Sequence, residues 1–471
     1  MTDSIVNHPL FGRGRILEIR NAAREAVVRF DNGIRAVVQT NILTLSENSQ
    51  PIVPAPVLPI QKEEPPRTAE DIRRFEARQI IEALRYGVVP AKRIRELSVG
   101  LEDEQASLHK AFDNVARQGG DVRFVLGEYG AGKSHFFEFA AQEALENNFI
   151  VATTSLDLRE VPPNRPQRIY HSLMRSLRYP NDADSKTVVP LLEKIVASPK
   201  LYAELVENLR GTIFGSLLYN YSLMRERDDE ALTLLLDWIS GEKVVIKKVR
   251  DAAAFKSKEM PIPNLSQITT AADQYCYLLN GWGWLAEQAG YAGLAVFIDE
   301  SEHYSLLNGR GQERADNFFK GLIYTALASR PDCRLSENLL EHQHRPHPFR
   351  LTERSQLLLL FAVTPSASTF DYRRWLDDEQ IISLKRSLPA AALDELMARL
   401  YVLHRQAYEY ENTNHYLDVS AGLIEFLENN LLNLRQTIRL AVDIYDRCYA
   451  HPDYTAAQAV GELRRALLGR E

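Results

Sequence analysis

The stretch FVLGEYGAGKSHFFEFAAQEAL, residues 124–145, runs from an apolar strand through a glycine-rich turn into a helix. The turn, Gly127 to Ser134, fits the pattern G-x-x-x-x-G-K-[ST], and the flanking strand and helix are the context that this pattern requires. Glycines allow successive backbone N–H groups to converge on phosphate oxygens, and the helix N-terminus adds partial positive charge. The stretch therefore predicts a phosphate-binding loop. An accidental glycine-rich turn is the alternative.

The loop chemistry assigns roles to individual side chains. Lys133 would reach the β- and γ-phosphates of a nucleotide, and the Ser134 hydroxyl would take a coordination position of Mg²⁺. We expect the whole loop and the residue after it to contact the nucleotide: Gly127, Glu128, Tyr129, Gly130, Ala131, Gly132, Lys133, Ser134 and His135.

An acidic sequence element further along the chain supports the prediction of a phosphate-binding loop. The run LAVFIDE, Leu294 to Glu300, predicts a buried strand that ends in two carboxylates. In open α/β sheets, ligands bind at the carboxyl ends of the strands. Asp299 is then predicted to hold Mg²⁺ through water, and Glu300 to polarise the attacking water as a general base. An acidic pair after a strand is common by chance, but downstream of a phosphate loop it is strong support for a nucleotide site.

Two further polar residues are candidates for the same site. The apolar run SQLLLLFAVTP, residues 355–365, predicts another central strand and ends at Thr364, whose side chain would lie near the γ-phosphate. Its alternative role is an ordinary strand cap. In NLRQTIR, Arg435 and Arg439 lie one helical turn apart, and Arg435 could reach back to the phosphates from a lid. A solvated helix face is the alternative here.

The order of the predicted elements gives the fold class and the domains. Strand, helix and strand alternate around the phosphate loop, which indicates an α/β fold with a parallel sheet. Residues 1–48 alternate apolar and polar residues, with a hairpin turn at Asn32-Gly33, and predict a small all-β module. Residues 49–68 contain six prolines and predict a linker. The remaining domains are a core at 69–387, with a helical insertion at about 180–265, and helices at 388–471.

Composition adds general limits. The 471 residues are 45% apolar and carry a net charge of −7, which is typical of globular proteins and gives no global sign of nucleic-acid binding. The three cysteines are far apart, and no apolar run is long enough to cross a bilayer. We therefore expect a cytoplasmic protein without disulfides or a membrane anchor.

Several long runs resemble the BREX-type ATP-binding proteins, a branch of the AAA+ ATPases close to origin-recognition proteins. They are ARQIIEALRYGVVPAKRIRELSVGLEDE, GEYGAGKSHFFEFAAQEALENNFIV, GYAGLAVFIDESEHY and NLLNLRQTIRLAVDIYD. The resemblance covers roughly residues 70–180 and 280–450. It implies a P-loop AAA+ core with a C-terminal helical lid, binding ATP and Mg²⁺. Members occur in bacterial anti-phage defence systems.

The resemblance also implies further roles. Thr364 would be the first sensor and Arg435 the second, and Val99 and Gly100 would contact the adenine base. An arginine finger acting across a subunit boundary would be one of three residues after the sensor strand: Arg373, Arg374 and Arg386. Three residues after the acidic strand would contact a neighbouring subunit or a threaded polymer, with a solvated loop as the equal alternative: Tyr304, Arg310 and Arg314.

The N-terminal module has a resemblance of its own. HPLFGRGRILEI and VVRFDNGIRAVV are similar to the SH3-like or Tudor-like barrels of CarD-type transcription factors and of some bacterial DNA helicases. There the barrel docks onto RNA polymerase or another protein. A barrel that only solubilises the N-terminus is the alternative.

Together these features predict a Mg²⁺-dependent ATPase of an anti-phage defence system that works as a homo-oligomer, expected to be a ring. It would remodel or load on DNA or a partner defence protein. The alternative is an ATP-gated scaffold that hydrolyses slowly and recruits a partner effector through the N-terminal barrel.

Overall fold

The structure, a computed structural model, describes most of the chain and divides it into two compact units, Met1–Thr68 and Ala69–Glu471. In the first unit the described residues are 5–8, 12–20, 25–30, 35–39, 44–45 and 68. In the second they are 69–90, 92–182, 185–226, 230–253, 260–266, 270–365, 371–385, 388–410, 415–428, 432–451 and 453–468.

The first unit is an antiparallel sheet with strand order β4-β3-β2-β1-β5. Its strands are β1 (Ile5–His8), β2 (Gly12–Arg20), β3 (Glu25–Phe30), β4 (Arg35–Gln39) and β5 (Thr44–Leu45). The predicted all-β character agrees with these strands, whereas closure into an SH3-like or Tudor-like barrel stays a prediction. The hairpin turn at Asn32-Gly33 and linker residues 49–67 lie outside the described residues.

The second unit is built on a parallel sheet of five strands in the order β10-β6-β9-β8-β7. The strands are β6 (Asp121–Leu126), β7 (Phe149–Ser155), β8 (Gly293–Asp299), β9 (Leu357–Val363) and β10 (Ile381–Ser383). Because all five are parallel, their carboxyl ends lie along one edge of the sheet. The phosphate loop follows β6, the acidic pair closes β8, and Thr364 follows β9. The predicted α/β fold with a parallel sheet is confirmed.

Helices cover the sheet on both faces. The helices are α1 (Ala69–Arg85), α2 (Glu102–Gln118), α3 (Lys133–Glu146), α4 (Pro166–Met174), α5 (Val189–Val196), α6 (Pro199–Asn208), α7 (Ile213–Met224), α8 (Glu230–Ile239), α9 (Ile246–Ala253), α10 (Ala272–Gln288), α11 (Gly309–Leu327), α12 (Ala390–Tyr408), α13 (His415–Glu428), α14 (Leu434–Ala450) and α15 (Ala456–Leu468). Short 3₁₀-helices occur at Ile94–Leu97, Ser301–Leu306, Glu337–Leu339, Tyr372–Arg374 and Asp378–Gln380.

Alternate residues of each strand enter two different hydrophobic cores. On one face, side chains such as Val125 and Phe297 pack with the aromatic residues of α2 and α3. On the other, side chains such as Phe124 and Leu359 pack with α4, α10, α11 and the helices α5–α8 of the insertion. Because both faces of the sheet are buried, the sequences of its strands are nearly continuous runs of apolar residues.

The four C-terminal helices form a third core, which also contains α1. Buried residues of α1, among them Ile80 and Ile81, pack in the same cluster as α12, α13, α14 and α15. At the end of α1, Arg85 donates from Nε to Asp446 Oδ2 at 2.9 Å, and His404 Nε2 lies 2.9 Å from Asp446 Oδ1. Although α1 precedes the sheet in the sequence, its apolar face packs on the lid. The domain boundaries drawn on the sequence stay predictions.

The described helices include none that is both long and apolar enough to span a membrane.

We predict that Phe297→Ala lowers the free energy of unfolding of the second unit by about 3–5 kcal/mol. Phe297 is fully buried on β8, and its ring meets that of Phe137 of α3 edge-on with the centroids 5.5 Å apart. The change removes the contact that seats the phosphate-loop helix on the sheet. Urea unfolding monitored by circular dichroism measures the loss. Val402→Ala is the control, because Val402 is 61% exposed and its truncation should cost under about 0.5 kcal/mol.

Candidate nucleotide site

The phosphate loop has a backbone that requires glycine at two positions. Gly130 and Gly132 have φ values of 81° and 92°, and Gly132 is the residue before the first turn of α3. A Cβ atom at Gly130 would lie 2.7 Å from Cγ of Asn433, so the loop also passes close to the lid. The loop therefore adopts the glycine-dependent turn into a helix N-terminus that its sequence predicts.

Lys133 is held in place by oxygens from two neighbouring strands. Its side chain is 8% exposed, and Nζ donates to the carbonyl oxygen of Gly127 at 3.0 Å and to Oγ1 of Thr364 at 2.6 Å. The two acceptors follow β6 and β9, which are adjacent in the sheet. The structure thus brings Thr364 to the phosphate loop, while its role as a sensor stays a prediction.

Ser134 and Asp299 meet directly at the edge of the sheet. The Ser134 hydroxyl donates to Oδ2 of Asp299 at 3.1 Å, and the backbone N–H of Glu300 donates to Oδ1 at 2.8 Å. Burial raises the pKa of Asp299, and the hydrogen bonds from Glu300 and Ser134 and the charge of Lys133 oppose this rise. The pair therefore combines a hydroxyl and a carboxylate beside the loop lysine.

Those two oxygen donors fit Mg²⁺. Magnesium takes oxygen ligands and keeps several waters, so one hydroxyl and one carboxylate are a sufficient protein contribution. Across the described ranges, no group of three or more His, Cys, Asp or Glu residues is arranged to hold a metal ion. Ser134 and Asp299 are accordingly the residues that would hold Mg²⁺, as the sequence predicts.

Glu300 lies at the mouth of the site in a strained conformation. Its φ of 55° is in the left-handed region, and its side chain lines the same pocket as the phosphate loop. Burial raises the pKa of Glu300, with further contributions from the charges of Glu302 and Asp299. A raised pKa makes a carboxylate a better proton acceptor near neutral pH, as a general base requires.

Glu302 is an acidic residue of the site that the sequence reasoning missed. It follows Glu300 by two residues, and its Oε2 is buried with no hydrogen-bond partner among the described residues. The signal was present in the sequence, where a third carboxylate follows the acidic pair in IDESE. Glu302 lies beyond the end of β8, so the pattern of a strand closed by two carboxylates does not include it.

A pocket extends from the phosphate loop to the lid. It encloses about 1260 Å³, counting its open mouth, and both Val99 and Gly100 line it as predicted for base contacts. The apolar part of its wall includes residues for which the sequence predicted no individual role: Val89, Pro90, Leu384, Leu388, Leu434 and Ile438. Two charged residues also line it. Glu104 ends the run SVGLEDE, which the resemblance places along the adenine pocket, whereas Lys385 was missed by the sequence reasoning.

His135 connects the loop helix to this wall. Its Nε2 lies 2.9 Å from Oγ of Ser98, the residue before Val99. Burial lowers the pKa of His135 to about 4, so the imidazole is neutral at pH 7. The contact is therefore between two neutral side chains, one on the phosphate-loop helix and one on the segment that lines the pocket.

Arg435 reaches the pocket from the lid. It lies near the start of α14, whose N-cap Asn433 accepts a hydrogen bond from the Gln436 backbone N–H at 3.0 Å. The Arg435 side chain lines the pocket, and its guanidinium carbon lies 5.8 Å from the ring centroid of Tyr129 in the phosphate loop. The structure thus brings Arg435 to the loop through a cation–π contact.

The candidate finger residues lie elsewhere. Arg373 and Arg374 are exposed, do not line the pocket, and Arg374 lies over the ring of Trp375 at 4.9 Å. Arg386 is outside the described residues. Arg310 and Arg314 are exposed on α11, and the side chain of Tyr304 is not described. Within one chain, none of the described candidates meets the phosphate loop.

The comparison with protein families gives one match. The family described as "BREX system ATP-binding protein BrxC/D" matches residues 72–210 and 199–323, which together span more than half of the chain. The matched span contains the phosphate loop and the acidic pair but ends before Thr364 and Arg435. A search of the curated proteins found no significant match.

Two similar solved structures are distant in sequence. The Walker-type ATPase PABY2304 of Pyrococcus abyssi is 12% identical, with 79% of this chain and 74% of that chain covered and a TM-score of 0.32. The Drosophila ORC bound to DNA is 9% identical, with 82% and 70% covered and a TM-score of 0.33. Neither likeness at these scores bears on the function of this chain.

We predict that Thr364→Val destabilises the nucleotide-free protein by about 1–3 kcal/mol, because it removes an acceptor from a nearly buried ammonium group. Thr364→Ser should restore most of the loss. In a Lys133→Met background the same Thr364→Val change should cost much less, since no charge is left without a partner. Urea unfolding of the four proteins of this double-mutant cycle measures the coupling. Equal costs in both backgrounds would contradict the hydrogen bond.

Proposed function

Because the chain belongs to the BREX system ATP-binding protein BrxC/D family, we propose that it is a Mg²⁺-dependent ATPase that hydrolyses ATP in this pocket. The observation that carries the proposal is that two hydrogen-bonded pairs meet at one edge of the sheet. Lys133 contacts Thr364, and Ser134 contacts Asp299. Glu300 lines the same pocket. Residues from three strand ends meet there, each with a function in phosphoryl transfer.

Binding would use the loop and the apolar wall together. The N–H groups of the loop and the ammonium group of Lys133 would contact the phosphates, replacing the oxygens of Gly127 and Thr364 that now hold Lys133. The base would enter the part of the pocket that Val99 and Gly100 line. Ser134 and Asp299 would hold Mg²⁺, which would supply charge neutralisation at the phosphates.

Hydrolysis would depend on Glu300 and Thr364. Glu300 accepts a proton from the attacking water, and its raised pKa favours this transfer. Thr364, next to Lys133, orients the γ-phosphate or the water. From the lid, Arg435 would leave Tyr129 for the phosphates and so make closure of the lid dependent on the nucleotide.

Lys133, Lys385 and Arg435 of the same chain line the pocket. We propose that a second copy of the chain supplies a further positive charge to the site. Arg373 and Arg374 are exposed, and either could leave its contact with a neighbouring aromatic ring to enter a neighbour's site, as an arginine finger does. Such a finger requires a head-to-tail arrangement of subunits, and we propose that the rotation between subunits closes it into a ring. The ring would act in the cytoplasm as part of an anti-phage defence system, on DNA or on a partner defence protein.

We predict that Lys133→Ala weakens ATP binding at least about 10-fold. Glu300→Gln should leave binding intact and lower the rate of phosphate release by about 10²–10⁴-fold, because a positioned base is lost. Calorimetry and a phosphate-release assay measure the two effects. Glu353→Gln is the control, since Glu353 is exposed and precedes β9 at the opposite edge of the sheet. Turnover of Glu300→Gln at the unmodified rate would rule out the base.

We predict that Arg373→Ala or Arg374→Ala lowers turnover by about 10³-fold or more without weakening ATP binding, if that arginine acts in a neighbour's site. Adding the inactive Lys133→Ala protein, which retains the arginines, should restore part of the activity by supplying the finger in mixed oligomers. Arg117→Ala, at the exposed end of α2, is the matched control.

Light scattering with ATP on the Glu300→Gln background, with and without duplex DNA, tests the assembly itself. A particle of constant size, with slow turnover that DNA does not change, would favour the ATP-gated scaffold, which recruits its partner through the N-terminal unit. Growth of the particle with ATP and faster turnover with DNA would favour the ring.

A further inference from the structure

Glu104 is a buried carboxylate that faces the nucleotide pocket without a partner. It lies in the first turn of α2, is 7% exposed and lines the pocket. Within the part of the chain that the structure describes, no hydrogen bond or ion pair satisfies its carboxylate. Glutamate is almost never buried unless it is paired, because desolvation of the charge is costly. The described buried polar atoms that lack a hydrogen-bond partner do not include the two carboxylate oxygens of Glu104, so these oxygens reach the solvent of the pocket. A ligand that displaces this water must supply a donor in its place.

Stabilisation of the helix does not explain this burial. Acidic residues in a first turn interact favourably with the helix dipole. However, Glu102 and Asp103 already occupy the same turn of α2 and are exposed to solvent. A third acidic residue could interact with the helix dipole equally well while exposed to solvent. The position of Glu104 inside the pocket therefore needs a separate cause.

The surroundings of Glu104 indicate which part of a nucleotide it meets. It lies one helical turn after Leu101, which lines the pocket and continues the Val99-Gly100 segment. This is the apolar side of the pocket, whereas the phosphates would be held by the loop around Lys133. A carboxylate accepts hydrogen bonds and repels phosphate, so its partner must be a donor group at the base end of the nucleotide.

We propose that Glu104 determines base specificity by accepting a hydrogen bond from the exocyclic 6-amino group of adenine. This inference rests on the proposed nucleotide-binding function of the same pocket. A base with an oxygen at position 6, such as hypoxanthine or guanine, would present an acceptor to the carboxylate and be repelled. Glu104 thus selects ATP over nucleotides with a 6-oxo base.

Binding of nucleoside diphosphates tests the proposal without interference from hydrolysis. Calorimetry compares ADP, purine riboside 5′-diphosphate, which lacks the 6-amino group, inosine diphosphate and 2′-deoxyADP. The proteins are the unmodified chain, Glu104→Ala, Glu104→Gln and the control Glu102→Gln. The control makes the same charge change in the same helical turn at an exposed residue.

The unmodified protein should prefer ADP over purine riboside diphosphate by about 10-fold or more, since a hydrogen bond to a charged group contributes about 1.5–3 kcal/mol. In Glu104→Ala this preference should fall to about 2-fold or less. In Glu104→Gln the discrimination against inosine diphosphate should shrink, because the amide can donate to a 6-oxygen. The control should keep the ratios of the unmodified protein. Since each ratio is taken within one variant, a general loss of affinity cancels.

Unchanged ratios in both Glu104 variants, with ADP still bound, would overturn this inference and leave the proposed function standing. A change confined to the ratio of ADP to 2′-deoxyADP would also overturn it, because the carboxylate would then contact the ribose. Failure of the unmodified protein to bind any of the diphosphates or ATP would overturn the proposed function together with the inference.

Discussion

The ammonium group of Lys133 is the interaction on which the candidate site depends. A nearly buried positive charge must have acceptors, and Lys133 finds them in the Gly127 carbonyl and the Thr364 hydroxyl. These oxygens follow two strands, β6 and β9, that are distant in sequence but adjacent in the sheet. The contact therefore exists only if the sheet has this strand order. A phosphate could replace either acceptor, so Lys133 could bind an anion without a large rearrangement.

The sequence was sufficient for the parts of the site that follow local rules. The phosphate loop is recognisable because its glycines are needed for positive φ values, as at Gly130 and Gly132. The central strands are recognisable because both of their faces are buried. That Ser134 and Asp299 would meet follows from two strand ends that share one sheet edge.

The rest could not be predicted because it depends on packing between distant segments. The apolar wall of the pocket includes Leu384 and Leu388, from segments that carry no motif. Glu104 ends the run SVGLEDE, which the resemblance places along the pocket, but its burial could not be predicted, since three acidic residues at a helix start look alike until one of them is buried. The packing of α1 on the lid was also hidden, because an amphipathic helix does not show which core receives its apolar face.

The pocket lies at the boundary between two of the hydrophobic cores, and this position would link nucleotide binding to the lid. Its polar side is formed by strand ends of the sheet, including the loop of Lys133. Part of its apolar side belongs to the core shared by α1 and the lid, through residues such as Leu97, Val99 and Leu396. A nucleotide would contact the sheet through its phosphates and the lid core through its base.

A ligand can shift a conformational equilibrium only by as much as it binds one state better than the other. A nucleotide that lacks either its base contacts or its γ-phosphate would have a smaller difference in affinity between the open and the closed lid. The same contacts that select the ligand would therefore also set the position of the lid, and α1 would move with the lid because Arg85 and Asp446 join them.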